Sequence, residues 1–258
     1  MWQAFAQNVR RSFTRAADQY DILTSLHKEI GRELVKKNVQ ADADRILDIG
    51  CGTGYAANKA KFFFPESVIV GLDLSEGMLS KASAAHEGIP IHWLQADAQA
   101  LPFKRATFDL VLSNLSYQWV LDLPRAFREA RRVLSGKGVL SGTLFGSRTC
   151  EELFLSLKAV HPVAKMRCLP SVDDVRNALQ SAGFTDVHVD YELIKVQFKD
   201  VWELLNWLKA IGANTLAEEF FLGKQMLHKL DVYYRERFPY HDGICVSFEV
   251  IWIGSKVL

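Results

Sequence analysis

The segment Ile46-Leu47-Asp48-Ile49-Gly50-Cys51-Gly52-Thr53-Gly54 constrains this chain more than any other, because an apolar strand runs into three glycines at alternate positions and then into a helix. Glycine there removes the Cβ that would hold a ligand off the backbone and admits the dihedrals of a tight strand-to-helix turn. The helix N-terminus beyond it can receive an anionic group. Asp73, in Gly71-Leu72-Asp73-Leu74-Ser75, ends the next strand 19 residues after Gly54 and can accept hydrogen bonds from both hydroxyls of a ribose. The reading without a ligand is a tight turn followed by a helix that Ser75 caps. The spacing is GxGxG with an aspartate two residues before it, which departs from the GxGxxG dinucleotide fingerprint.

The elements around this turn alternate regularly. Arg45 to Ile49 reads as a strand, Thr53 to Phe63 as a helix, Ser67 to Asp73 as a strand and Glu76 to His86 as a helix. Ile91 to Leu94 and Phe108 to Ser113 follow as strands, Leu123 to Leu134 as a helix and Gly138 to Phe145 as a strand. Such alternation predicts an α/β fold, a Rossmann-like, mostly parallel sheet with helices on both faces. In the tail, Ser171 to Ala182 is a helix closed by Gly183, and Val187 to Phe198 and Ile244 to Ile253 are strands, which makes seven with the last antiparallel.

Two helical segments stand outside this alternation. Phe5, Val9, Phe13, Ala16, Ala17 and Tyr20 mark one face of a helix from about Gln3 to Ser25, followed by a second from Leu26 to Lys37. Lys199 to Arg237 carries Trp202, Leu205, Trp207, Leu208, Ile211, Phe220, Phe221 and Leu227, which is too apolar to be left in water. The expected organisation is one domain over 1–258, with an N-terminal helical cap (1–40), a core (45–198 and 244–258) and a helical lid insert (199–237).

Charge is nearly balanced, 31 Lys plus Arg against 30 Asp plus Glu, so nothing calls for nucleic acid or an anionic membrane. Cys51, Cys150, Cys168 and Cys245 form no CxxC pair and have no His at ligand spacing, so reduced thiols and no metal are expected. No stretch has the apolar length of a signal peptide or a membrane span, and Asp18 and Asp21 soon after Arg10, Arg11 and Arg15 disfavour a transit peptide. A cytoplasmic protein is the expectation.

Four stretches in order carry a family resemblance: Leu47 to Gly54, Gly71 to Leu79, Ala96-Asp97-Ala98-Gln99-Ala100-Leu101-Pro102-Phe103, and Phe108-Asp109-Leu110-Val111-Leu112-Ser113-Asn114. On these the chain resembles the class I S-adenosylmethionine-dependent methyltransferases. The resemblance implies S-adenosyl-L-methionine as cofactor and S-adenosyl-L-homocysteine as product. It places the glycines Gly50, Gly52 and Gly54 against the methionine part, Asp73 at the ribose and Met78 near the adenine, and it counts Asp48, Cys51 and Leu74 among the cofactor-binding residues. Asp97 would meet the adenine amine with Ala98 alongside, and Asn114 and Leu115 would floor the sulfonium. Three further segments are similar to the malonyl-acyl carrier protein methyltransferases of biotin synthesis: Phe13 to Asp21, Ser113 to Asp122, and Leu208-Lys209-Ala210-Ile211-Gly212-Ala213-Asn214. They imply a malonyl thioester on an acyl carrier protein, or on coenzyme A, as methyl acceptor.

A carboxylate acceptor, with a pKa of about 4, is ionised at neutral pH and needs no general base. No catalytic acid or base is therefore expected, only alignment and a dry cavity. Tyr20, Tyr117, Gln118 and Trp119 are the candidate lining, each with core packing as its alternative. Arg148, just after the fifth strand, is the candidate carboxylate fork, with Arg15 second. An acidic carrier would need a basic rim, for which Arg10, Arg11, Lys158, Lys165, Arg167, Lys224 and Lys229 are available. A class I methyltransferase acting on another small acceptor shares every cofactor motif. A nicotinamide-dependent oxidoreductase and a non-catalytic binding module are the more distant alternatives.

Overall fold

The computed structural model describes residues 2–162, 167–213 and 223–256. Lys165, Asn214, Phe220 and Phe221 lie outside the described residues.

Strands β1 (Arg45–Ile49), β2 (Val68–Asp73), β3 (Ile91–Gln95), β4 (Phe108–Asn114) and β5 (Leu134–Phe145) pair in parallel. Then β6 (Asp186–Phe198) and β8 (Gly243–Lys256) complete an order of β3-β2-β1-β4-β5-β8-β6, with β8 antiparallel to both neighbours. The strand order reverses between β1 and β4, so the carboxyl ends of these two strands open a crevice at the switch point. Off this seven-strand path, β7 (Pro239–Tyr240) adds a two-residue hairpin arm on β8, too short to carry an alternating pattern.

Period-two alternation sends Ile46, Leu110 and Leu112 into one core, and Leu47, Ile49 and Val111 into the other. The first core is closed by α2 (Ser25–Lys36) and α3 (Tyr55–Phe63), the second by α5 (Leu123–Val133) and α7 (Val172–Ser181). This is why the central strands are apolar at nearly every position. Side-chain caps fix the helix starts: Ser75 accepts from the Met78 amide at α4 (Glu76–Ala85), Asp122 from Arg125 at α5, and Ser171 forms a capping box with Asp174 at α7.

A third apolar cluster lies beyond the sheet's switch point. It joins Ile30, Phe145, Leu169, Ile211, Leu230, Tyr234 and Phe248 from α2, β5, α8 (Val201–Ala210), α9 (Lys224–Arg237), β8 and their connections. Helix α6 (Glu151–Val160) enters the same cluster through Leu153 and Leu157, a pair four residues apart that the sequence reading passed over. Helix α1 (Trp2–Leu23) lies on α4, where Thr14 Oγ1 is 2.9 Å from Ser75 Oγ and Ala16 and Ala17 pack on Met78. No helix among the described residues is long and apolar enough to cross a membrane.

Candidate active site

The three glycines of the β1–α3 turn all have positive φ but do different work. A Cβ on Gly50 (φ +70°) would stand 1.9 Å from Ser116 Oγ, so Gly50 admits the turn that follows β4. A Cβ on Gly54 (φ +86°) would stand 2.5 Å from the Trp93 ring, so Gly54 lets α3 approach β3. A Cβ on Gly52 (φ +54°) would meet nothing within 4 Å and would point into open space beside Asp73. Gly52 is therefore the position whose missing side chain leaves room for a ligand.

Asp73 is aimed by its own neighbours: the Gly52 amide donates to one carboxylate oxygen at 2.9 Å and the Ser75 amide to the other at 2.8 Å. Burial nevertheless raises its pKa, against the pull of those amides. Asp73, Gly50, Gly52, Leu74, Met78, Asp97, Ala98, Asn114 and Leu115 line one cavity, which α1 covers with Ala6, Val9, Phe13 and Tyr20. Asp97 is held by the Gln99 amide at 2.8 Å. A second cavity continues from Gly50 and Gly52 past Cys51 and Asp48 to Lys28 and Tyr55. Asp48 is buried, neither carboxylate oxygen has a partner in good hydrogen-bond geometry, and burial lifts its pKa to about 7 against the opposing pull of the nearby Ala57 amide, with the charge of Asp73 adding to the rise. Burial likewise raises the Cys51 thiol, so it stays protonated.

A third cavity lies beside the first and shares Phe13, Tyr20, Leu115 and Trp119 with its wall. Its lining is aromatic and aliphatic, with Phe145, Leu208, Ile211 and Phe248 from β5, α8 and its end, and β8. The polar groups in it are few. Gln118 is fixed, donating from its amide to the Leu115 carbonyl at 2.7 Å and accepting from the Phe145 amide at 3.4 Å. His27 stands edge-on to Phe145 and Tyr20, lines both this cavity and the second, and has a buried Nδ1 with no partner. Burial lowers its pKa to about 4, so the imidazole is neutral at physiological pH. Burial also raises the Tyr20 phenol and lifts the Cys150 thiol to about 12.

The structure thus brings together Asp48, Gly50, Cys51, Gly52, Asp73, Leu74, Met78, Asp97, Ala98, Asn114, Leu115, Tyr20, Gln118 and Trp119. It places four of the sequence candidates elsewhere. Gly54 packs on Trp93. Tyr117 is 1% exposed, packs on Phe127 in the sheet core and has no partner for its hydroxyl. Arg148 is exposed and turned to Glu151 at 3.8 Å. Arg15 is exposed in an outer groove between α1 and α4. Sequence reasoning missed His27, Phe145, Thr149 and Phe248. His27 stands seven residues after Tyr20, a helical interval, but the break at Thr24 puts the two on separate helices and interrupts that periodicity.

Among the described residues no cluster of His, Cys, Asp or Glu could hold a metal ion. The residues fit S-adenosylmethionine instead: an open glycine beside a pre-aimed aspartate suits a ribose, and the orphaned Asp48 oxygens near Gly50 suit a cationic amine.

Known proteins agree. A family model described as a methyltransferase domain matches residues 47–141. A malonyl-[acyl-carrier protein] O-methyltransferase of Methylovorus sp. is 33% identical over 95% of this chain and 86% of its own length. The protein of that name from Geobacter sulfurreducens is 34% identical over 97% of this chain and 98% of its own. The fold is shared with the YcgJ protein of Bacillus subtilis, at a TM-score of 0.63 and 19% identity, over 88% of this chain and 97% of that one. This chain is an S-adenosylmethionine-dependent methyltransferase and belongs to the malonyl-[acyl-carrier protein] O-methyltransferase family.

Proposed function

We propose that the acceptor is the free carboxylate of a malonyl thioester, carried by an acyl carrier protein or coenzyme A, and that the product is its methyl ester, an early intermediate of biotin synthesis made in the cytoplasm. The observation that carries this reading is that Phe13, Tyr20, Leu115 and Trp119 line both the cofactor cavity and an apolar cavity beside it, whose titratable side chains are held uncharged. S-adenosylmethionine, when bound, supplies a methyl group on a sulfonium and leaves as S-adenosylhomocysteine.

The protein's part is placement and exclusion of water. Asp73 and Asp97 would hold the ribose and adenine, and Asp48 the amino group of the methionine part; all three line the cavities around the β1–α3 turn. An acceptor carboxylate oxygen forms the new bond to the methyl carbon while the carbon–sulfur bond breaks and its electron pair goes to sulfur. No proton moves, so no base is needed. The opposite charges of carboxylate and sulfonium cancel as the bond forms, and an apolar chamber favours that cancellation over the separated ions that water would stabilise. Neutral His27 and Tyr20 add no charge to the chamber and offer hydrogen bonds to the carboxylate. Helices α1 and α8 form the lid.

Comparing malonyl and acetyl thioesters tests the reading. At saturating S-adenosylmethionine, release of S-adenosylhomocysteine is expected with the malonyl group alone and with a rate that is flat between pH 6 and 9, roughly. Equal release with the acetyl thioester, which lacks the carboxylate, overturns it.

A further inference from the structure

Arg167 is a half-buried cation that no acid answers among the described residues. Its guanidinium lies over the Phe5 ring, 4.3 Å from the centroid, and one Nη donates to the Val120 carbonyl at 3.3 Å. The other, Nη1, is shut off from solvent and has no hydrogen-bond partner. Among the described residues no Asp or Glu forms an ion pair with Arg167, whereas Arg10, Arg132, Arg148, Arg176 and Arg235 each have one. Burial draws its pKa down to about 10, which leaves it charged at neutral pH.

Its surroundings tie it to the methyl-transfer site. Val120, which it holds, lines the cofactor cavity beside Trp119, and Leu169, two residues further along the chain, lines the apolar cavity. Phe5, on which it lies, precedes Ala6 in the wall of the cofactor cavity. A charge taken from water without a partner is costly, and an anion that docks against it recovers that cost. Nη1 is a donor without a partner, and the planar fork can present it together with a neighbouring N–H to two oxygens of one anionic group, which a lysine could not match.

We infer that Arg167 is the anion anchor of the acceptor, taking anionic oxygens of the incoming thioester: the malonyl carboxylate or the phosphate of its carrier's pantetheine arm. The inference rests on the malonyl-thioester reading. Neither Arg148, which faces Glu151, nor Arg15, on the outer groove, is placed to do this.

The test compares wild type with R167K, R167Q and R167A on malonyl-CoA and on malonyl-pantetheine, which has no phosphate, with calorimetric binding of S-adenosylmethionine as a check of fold. For R167A and R167Q the KM for malonyl-CoA is expected to rise on the order of 10- to 100-fold, with a smaller rise for R167K and the cofactor Kd within about twofold of wild type. An equal rise for malonyl-pantetheine assigns Arg167 to the carboxylate, and a rise confined to malonyl-CoA assigns it to the phosphate. KM values within about twofold of wild type for both substrates overturn the inference, as does a cofactor Kd that rises in step with KM. Wild-type turnover of malonyl-CoA is the control that separates the two claims. Without turnover the acceptor reading fails first and takes the anchor with it; with turnover the variants alone decide.

Discussion

The two sides of this site are built differently. The cofactor side is set by short stretches at the ends of β1, β2, β3 and β4, and its polar groups are aimed by backbone amides a few residues away or one strand over, as Asp73 is by Gly52 and Ser75. The acceptor side is assembled from α1, α2, the turn after β4, the end of β5, α8 and β8, and aromatic rings packed edge to face hold it together. Backbone-aimed sites tolerate little change in shape, because the groups that bind also hold the turn. A site assembled from packed side chains can change its lining while the sheet stays intact.

Gly52→Ala against Gly54→Ala sets this difference in sharpest form. The Gly52 variant is expected to fold with a loss of roughly 1 kcal/mol from left-handed backbone strain, and to bind S-adenosylmethionine on the order of 10- to 100-fold more weakly because its methyl group enters the cavity. The Gly54 variant must push against Trp93, so it is expected to lose about 2–4 kcal/mol of stability. Urea denaturation and calorimetry separate the two outcomes. Similar losses of stability in both would break the assignment of distinct roles.

The two sides also carry opposite pH signatures. His27 has a folded-state pKa near 4, below its ordinary value of 6.5, so the unfolded chain binds the extra proton and the protein loses stability as pH falls through that window, by about 3 kcal/mol in all. Asp48 has a folded-state pKa near 7, above its ordinary 3.8, so without ligand its contribution falls as pH rises from 4 to 7. Replacing His27 by Gln should leave only the second slope: wild type loses stability relative to H27Q between pH 6.5 and 4, roughly, and denaturation at the two ends of that range reads the difference. Parallel curves would mean that the imidazole is not buried in solution.

Smaller effects mark the edges of the acceptor side. Tyr117→Phe removes a buried hydroxyl that has no partner, so stability is expected to hold or rise within about 1 kcal/mol, with activity unchanged. A marked activity loss would move Tyr117 from the core into the chemistry. Arg148→Ala breaks only an exposed contact with Glu151, and KM and kcat are expected within about twofold of wild type. A large rise in KM would return the carboxylate to Arg148.

What could be read from the sequence follows the same division. Asp48, Gly52, Asp73 and Asp97 stand at fixed offsets from strand ends, so the pattern that predicts the sheet also places the residues. The acceptor side has no such ruler. Arg148 was reasonable from its place after β5, but position along a strand cannot say which way a long side chain turns. Tyr117 and Trp119 are two residues apart in one tight turn; one enters the core and the other the cavity, and composition could not separate them. His27 is invisible for another reason: its role depends on Phe145 and Trp207, which the chain brings from more than a hundred residues away.

The central claim is that the apolar chamber beside the cofactor receives a malonyl carboxylate. Mass spectrometry of malonyl-acyl carrier protein after incubation with the enzyme and S-adenosylmethionine tests it most directly. The account predicts a mass gain of one methylene on the malonyl group. An unchanged carrier, from protein that still binds S-adenosylmethionine, would contradict it.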